Sequence, residues 1–199
     1  MTTRDMNRGV SRDMNDEQLA SAYCDGNAAA FDQLYARHRL PLFAFLKRHS
    51  GRSQEEVEEV FQETWLKFIH APQRFDATRP FAPWLFRIAR NCMIDRWRHL
   101  SAVASLHVAD HDALLGAGSD GRLQPEARMH AEELADRWEH ALAALPTAQR
   151  EALVLKLETG MNLEALAAAL DAPREAVKSR LRYALKRMSA HFEEVFDDR

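Results

Sequence analysis

Between Asp171 and Ala190 stand Arg174, Lys178, Arg180, Arg182, Lys186 and Arg187 against only Asp171 and Glu175, a local balance of +4 in a 199-residue chain whose total is -3. At 100° per residue, Glu175, Lys178, Ser179, Arg182 and Lys186 share one side of a helix, with Arg174 at its start. Val177, Leu181, Ala184, Leu185 and Met188 form the opposite, apolar stripe. Arg, Lys and Ser at such spacing are groups that bond to base edges or phosphates of duplex DNA. A shorter stripe, Leu163, Leu166, Ala167 and Leu170, precedes them across Asp171-Ala172-Pro173. Pro173 is expected to open the second helix, because its fixed φ and missing N–H suit only a first turn. The pair reads as a helix-turn-helix whose second helix faces DNA. Taken alone, the basic face would equally suit a solvated helix surface.

A second set of residues suits single-stranded nucleic acid. Phe75, Phe81, Trp84, Phe86 and Trp97 are interleaved with Arg79, Arg87, Arg90, Arg96 and Arg98. Bases stack on aromatic or guanidinium planes while cations follow the phosphates. Pro80 and Pro83 mark a helix start, with Leu85, Ile88, Ala89 and Cys92 turned inward and Arg87, Asn91 and Arg98 clustered outward beside Trp84. Arg90 and Trp97 form an adjacent stripe. Trp84 and Trp97 fit either a stacking platform or a core position, whereas Trp65 is assigned to the core. A third set is acidic: Gln54 to Glu63 holds five carboxylates and no cation. Complementing the helix dipole explains the first turn but not Glu63, which leaves room for a basic protein partner.

These sets need helices to position them. The composition has few β-branched runs and no alternating pattern, so the predicted fold is all-α, with two small helical domains joined by a flexible acidic linker and a C-terminal helix-turn-helix in the second. Residues 1–15 read as a polar, disordered segment and residues 16–100 as the first domain. One opening helix is expected to carry Leu19, Tyr23, Ala30, Phe31, Leu34 and Tyr35 inward, and to continue beyond Pro41 through Phe43, Phe45 and Leu46. Ser53 is placed as the cap of the next helix. Residues 101–125, with the run from Gly116 to Gly121, read as the linker; fully extended, its 25 residues reach roughly 80 Å. In the domain spanning 126–199, Leu134, Trp138, Ala141, Leu142 and Leu145 form one stripe. Thr147 is expected to cap a helix bearing Leu153, Val154 and Leu157 that stops at Gly160. Residues from His191 onward are expected to fray.

Several classes are disfavoured. Cys24 and Cys92 are the only cysteines, without Cys-x-x-Cys spacing, which fits a reducing compartment. No apolar run approaches the roughly 20 residues of a membrane helix and no signal-peptide core is evident, so a cytoplasmic protein without membrane insertion is expected. His107 and His111 lie four apart, but without further ligands nearby no metal site is assigned. Walker, Gly-x-Gly-x-x-Gly, Gly-x-Ser-x-Gly and His-Glu-x-x-His patterns are absent, so neither catalysis nor a cofactor is expected.

Four runs, in order across the linker, carry a resemblance to the extracytoplasmic-function sigma factors of bacterial RNA polymerase, covering about residues 16–192. Phe61-Gln62-Glu63-Thr64-Trp65-Leu66 resembles the family's clamp-docking run. Phe81 to Asn91 with Ile94-Asp95 resembles its promoter-melting helix, Ala144-Leu145-Pro146 to Glu151 its Leu-Pro-x-x-x-Arg-Glu motif, and Val177 to Leu181 the core of its recognition helix. The resemblance implies that Glu59, Gln62 and Glu63 face core RNA polymerase, whose clamp and flap are the expected contacts. It implies a minus-ten surface of Phe75, Arg79, Trp84, Arg87, Arg90, Asn91, Asp95 and Arg98, where Asn91, Asp95, Trp84 and the loop from Phe75 to Arg79 hold an unpaired, flipped non-template base. It implies that Arg174, Glu175, Lys178, Ser179, Arg182, Tyr183 and Lys186 meet the duplex minus-thirty-five element. The linker would follow the path of nascent RNA, and an anti-sigma factor is an expected partner. The turn departs from the family in carrying Asp171 where Gly is usual; Asp tolerates φ > 0 better than most residues.

Rival readings account for less. A dimeric helix-turn-helix regulator explains the second domain but gives the acidic helix, the aromatic-basic helix and the tether no role. A purely structural or anti-anti-sigma protein would make the basic recognition face superfluous.

Overall fold

Several helix starts in this chain are set by side chains that replace missing backbone partners. The computed structural model describes residues 13–50, 53–104 and 125–197. Helix α1 (Asp16–Cys24) starts at a reciprocal capping box, in which Asn15 Oδ1 accepts from Gln18 N at 2.8 Å and Gln18 Oε1 accepts from Asn15 N at 3.0 Å. Asn15, the last residue of the segment read as polar and disordered, is thus the cap of α1. The single opening helix expected from the stripe is two helices. Gly26 adopts φ 95° and Asn27 Oδ1 accepts from Ala29 N, which ends α1 and starts α2 (Ala28–Ser50). Helix α2 continues through Pro41, as expected.

Helix α3 (Gln54–His70) begins at the Ser53 capping box, with Glu55 and Glu56 in the first turn and Lys67 and His70 in the last, matching both ends of the dipole. A 3-10 turn (Pro72–Arg74) leads to α4 (Phe81–Ala104), which extends into the stretch read as linker. The first backbone N–H of α4 donates to Glu17 Oε1 at 2.9 Å, a cap delivered from α1 across 64 residues of chain. Leu19, Leu34, Leu42, Phe45, Trp65, Phe68, Phe81, Leu85 and Phe86 fill the core between these helices. Trp65 is buried as assigned.

The second half comprises α5 (Pro125–Ala143), α6 (Thr147–Thr159), α7 (Leu163–Leu170) and α8 (Arg174–Asp197). Gly160 stops α6 at φ 66°, and Asn162 caps α7 by accepting from Ala165 N at 2.8 Å. Thr147 is not a cap: Pro146 occupies that position without a side-chain bond, and Thr147 is the first helical residue. Pro173 likewise stands one residue before α8, its carbonyl accepting from Val177 N at 3.1 Å. Helix α8 continues to Asp197, beyond the point at which fraying was expected.

Three residues placed in apolar stripes are exposed: Leu134, Leu157 and Leu185. Leu185 lies about 80° around the helix from Val177, outside the seam that Val177, Ala184 and Met188 bury. On α6 the residues from Glu151 to Leu155 are buried without a break, so no single stripe describes it. One side meets α8 and the other meets α2 of the first half. Helix α7 likewise packs against α4, bringing the two halves into contact.

The inter-helix turn contains the one positive-φ non-glycine residue among the described residues, Asp171 at φ 47°. Because a Cβ in the left-handed region costs roughly 1–2 kcal/mol, Asp171→Gly should raise unfolding stability by up to about 1 kcal/mol. Urea denaturation followed by circular dichroism tests this; a loss of stability would show that the Asp side chain contributes more than its backbone conformation costs.

Candidate nucleic-acid interface

The exposed side of α8 is set by burial of its other side. With Val177, Ala184 and Met188 buried, Arg174, Glu175, Lys178, Arg182, Tyr183 and Lys186 stand in solvent and Ser179 is half-buried. Their local partners are weak and replaceable. Arg174 Nε lies 2.9 Å from Glu164 Oε1 and Lys178 Nζ 3.8 Å from Glu175 Oε2, all on exposed side chains. Such pairs contribute at most about 1 kcal/mol. The Arg182 guanidinium sits 5.0 Å from the centroid of the Tyr183 ring, which restricts both side chains. This face can present donors to phosphates and base edges of a duplex.

Helix α4 follows the same logic with a stronger anchor. Phe81, Leu85, Phe86, Ala89, Cys92 and Met93 are buried on one side, while Asn91, Asp95 and Arg98 are exposed on the other and Arg87 is half-buried. Ile88, placed inward from spacing, is only half-buried. Asp76 shapes the preceding loop, accepting from Thr78 N at 3.0 Å and Thr78 Oγ1 at 2.7 Å, and these bonds hold its carboxyl below the usual range. Arg79 Nε is 3.5 Å from Asp76 Oδ2, so this exposed cation is tethered at the loop.

Other residues of the anticipated minus-ten surface are placed differently. Phe75 is buried, its ring 5.3 Å from both Phe81 and Trp84. It supports the loop from beneath instead of offering a face to a base. Half-buried Trp84 also packs edgewise on Phe68 at 5.6 Å, and Trp97 packs on His49 at 5.9 Å. The aromatic and basic residues are therefore sorted, rings largely inward and polar groups outward. Arg90 does not join the exposed cluster; its Nε donates to Glu151 Oε1 at 2.5 Å in the second half.

On α3, Glu59 and Gln62 are exposed and Glu63 is half-buried, with exposed Leu66 and Ile69 further along. Glu59 pairs with Arg96 of α4, and Glu63 lies 2.9 Å from Lys67 Nζ. Lys67 also reaches Cys92 Sγ at 3.2 Å; burial pushes the Cys92 thiol up. Both cysteines are free, Cys24 exposed and Cys92 buried. No group of His, Cys, Asp or Glu among the described residues could hold a metal ion; His107 and His111 lie outside those residues. No described helix is long and apolar enough to cross a membrane.

Sequence reading missed Glu17 as the cap of α4, and missed Arg48, His49 and Glu151 as a polar group between the halves. Their partners stand 61 to 110 residues away, so local pattern carries no signal for them. Burial, with Arg150 and Arg90 nearby, pushes His49 down to about 3 from its ordinary 6.5.

Comparison with known proteins finds matches along most of the chain. Residues 34–103 match the family described as Sigma-70 region 2, and residues 141–190 match Sigma-70, region 4. The chain is 35% identical over 178 residues to the RNA polymerase sigma factor CnrH of Cupriavidus metallidurans, covering 88% of this chain and 93% of that protein. It is 33% identical to the RNA polymerase sigma factor NccH of Alcaligenes xylosoxydans xylosoxydans, covering 88% and 93% respectively. The solved structure of CnrH in complex with the cytosolic domain of CnrY superposes with TM-score 0.64 at 32% identity, over 90% of this chain and 97% of that one. A sigma factor RpoE from Bartonella quintana, solved with the anti-sigma factor NepR, shares the fold with TM-score 0.67 at 23% identity, over 82% and 96%.

His49 gives a pH dependence with a definite sign. Its folded-state value lies below its unfolded one, so between pH 6.5 and about 3 the unfolded chain binds the extra proton. The stability contribution is complete above 6.5 and falls with acid, by at most about 1.4 kcal/mol per pH unit. Denaturation midpoints across this window should drop less steeply in His49→Gln than in the parent chain; parallel curves would exclude His49 as the source.

Proposed function

Because the chain belongs to the extracytoplasmic-function sigma factors of bacterial RNA polymerase and so directs promoter-specific transcription initiation, we propose that its two exposed polar faces divide the promoter between them. Helix α4 with the loop from Phe75 to Arg79 opens the minus-ten element, and α8 grips the minus-thirty-five element. The observation that carries this reading is that two helices, one in each half, each bury one side firmly and expose polar donors on the other.

On α4, Asn91 and Asp95 supply hydrogen-bonding groups to the edge of a flipped base, with Arg87, Arg98 and Arg79 along the adjoining phosphates. Flipping costs a few kcal/mol, which these contacts offset. On α8, Arg174, Lys178, Arg182 and Lys186 supply charge and bidentate donors, with Glu175, Ser179 and Tyr183 completing the face. Exchanging their exposed intramolecular pairs for phosphates sacrifices little and gains counterion release.

Glu59, Gln62 and Glu63 meet the basic clamp of core polymerase, and the second half meets the flap. The acidic linker follows the RNA path, its charge standing in for nucleic acid; residues 105–124 lie outside the described part of the chain. The protein performs no bond chemistry itself and acts in the cytoplasm with core polymerase. By analogy with the complexes of CnrH with CnrY and of RpoE with NepR, an anti-sigma factor masks its polymerase-facing surfaces.

The test is transcription by purified core polymerase on a genomic promoter library with this protein added, mapping RNA 5′ ends. New starts preceded by two spaced, non-palindromic elements are expected; duplex binding without starts would point to a stand-alone regulator. Lys178→Ala or Arg182→Ala should cost about 1–3 kcal/mol at particular minus-thirty-five positions, whereas uniform loss across sequences would make them phosphate contacts. Asn91→Ala should reduce open-complex formation, read by permanganate footprinting, while core binding persists. Loss of core binding would mean that α4 was disrupted instead.

A further inference from the structure

The contact between the two halves is built from charged groups, one of which, Arg90, the resemblance had assigned to the minus-ten surface. Helix α6 packs on α2, and α7 packs on α4. Glu151 of α6, with its side chain 5% exposed, accepts from Arg90 Nε of α4 at 2.5 Å. Arg48 of α2 pairs with Glu139 of α5, at 3.4 Å, and with Glu158 of α6. Next to Arg48, buried His49 stacks on Phe45 with planes 3° apart and meets Trp97, while Arg150 of α6 and Arg90 of α4 both act on it. The three ion pairs, Arg90–Glu151, Arg48–Glu139 and Arg48–Glu158, each join a residue before the linker to one after it.

A carboxylate as buried as Glu151 needs a cation beside it. Burial pushes its pKa up, and Arg90 and Arg180 pull it back. Arg180 lies on α8 of the same half, so separation of the halves leaves Glu151 with a cation and sets Arg90 free. The pair with Arg90 therefore bears more on the seam than on the folding of the second half.

Closure opposes promoter binding on two counts. While its Nε donates to Glu151, Arg90 is held away from the exposed polar cluster of α4. Moreover, α4 touches α7 and α7 touches α8, so the two reading helices are only about 20 Å apart by ordinary interaxial spacings. The two promoter elements lie about 25 base pairs apart, or about 85 Å at about 3.4 Å per pair.

We propose that the Arg90–Glu151 pair, flanked by Arg48 with Glu139 and Glu158, is a latch that holds the free protein closed and must open before both promoter elements are engaged. The promoter half of this statement rests on the function proposed above; closure itself does not.

The test measures an interspin distance in the free, full-length protein, with labels on exposed Cys24 and on a Thr147→Cys substitution at the exposed start of α6; Cys92 is buried. A narrow, short distribution is expected. Glu151→Gln and Arg48→Ala should each broaden and lengthen it, and the exchange Arg90→Glu with Glu151→Arg should restore it. Should Glu151→Gln lose helical circular dichroism, Arg48→Ala, which changes a solvent-facing pair, carries the test. A broad, long distribution in the parent chain, or one indifferent to Arg48→Ala, overturns the latch.

The coupling to DNA is read with a single-stranded oligonucleotide carrying the minus-ten sequence obtained from start-site mapping. If nine molecules in ten are closed, releasing the latch tightens apparent binding about tenfold. Arg48→Ala should show a gain of that order, and unchanged affinity in a demonstrably opened variant overturns the coupling. Core-dependent transcription separates the two ideas: a closed protein that directs no starts refutes the function but not the latch, and an open protein that directs starts refutes the latch alone.

Discussion

The exposed polar face proposed to meet nucleic acid depends on how firmly α4 is held from behind. Phe81, Leu85, Phe86, Ala89, Cys92 and Met93 are all but inaccessible to solvent, and the first N–H of the helix is tied to Glu17. With rotation and axial slippage both opposed, Asn91, Asp95 and Arg98 emerge at fixed angles. The rings of Phe75 and Trp84 brace the loop ahead of them against Phe81. In the function proposed for α4, such preorganisation removes part of the entropic cost of capturing an unpaired base, because the binding groups are ordered in advance.

Charge is distributed according to what must be given up on binding. On the reading face of α8 and in the loop before α4, cations rest against exposed carboxylates: Arg174 on Glu164, Lys178 on Glu175, Arg79 on Asp76. Solvent screens these pairs, and they are easily replaced by phosphates. Between the halves the situation is reversed. Glu151 is buried, His49 is kept uncharged by its surroundings, and Arg90 sits close to both. Groups in so dry a seam interact strongly and tolerate loss of a partner poorly. A chain that is acidic overall thus keeps weakly held cations on the faces proposed to meet DNA and more buried ones where its own halves meet.

Much of this was legible in the sequence, for reasons that differ by feature. Helix class followed from periodicity. The Ser53 capping box, the Gly160 stop and the tolerance of Asp171 for a left-handed conformation followed from local backbone chemistry, which neighbouring residues decide. The basic side of α8 followed because its apolar stripe and its charges are each locally complete. Membership of the sigma family was readable because four short runs occur in order, and residues 34–103 and 141–190 match that family's two regions.

Tertiary structure decided what local pattern could not. Spacing names a helix face but not the neighbour that covers it, so Leu134, Leu157 and Leu185 were placed inward and are exposed. Glu151 looked like part of a motif and turned out to be buried between two arginines from different halves. Arg90 looked like one cation of an exposed cluster and is engaged across the seam. In each case the deciding partner lies far along the chain, where periodicity and propensity have no reach. Local pattern alone says which segments are helical, where most of them start and stop, and which kind of protein they compose. Only the packing of α2 and α4 against α6 and α7 decided which charges face solvent and which face each other, because burial and ion pairing belong to the assembled surfaces and not to any one helix.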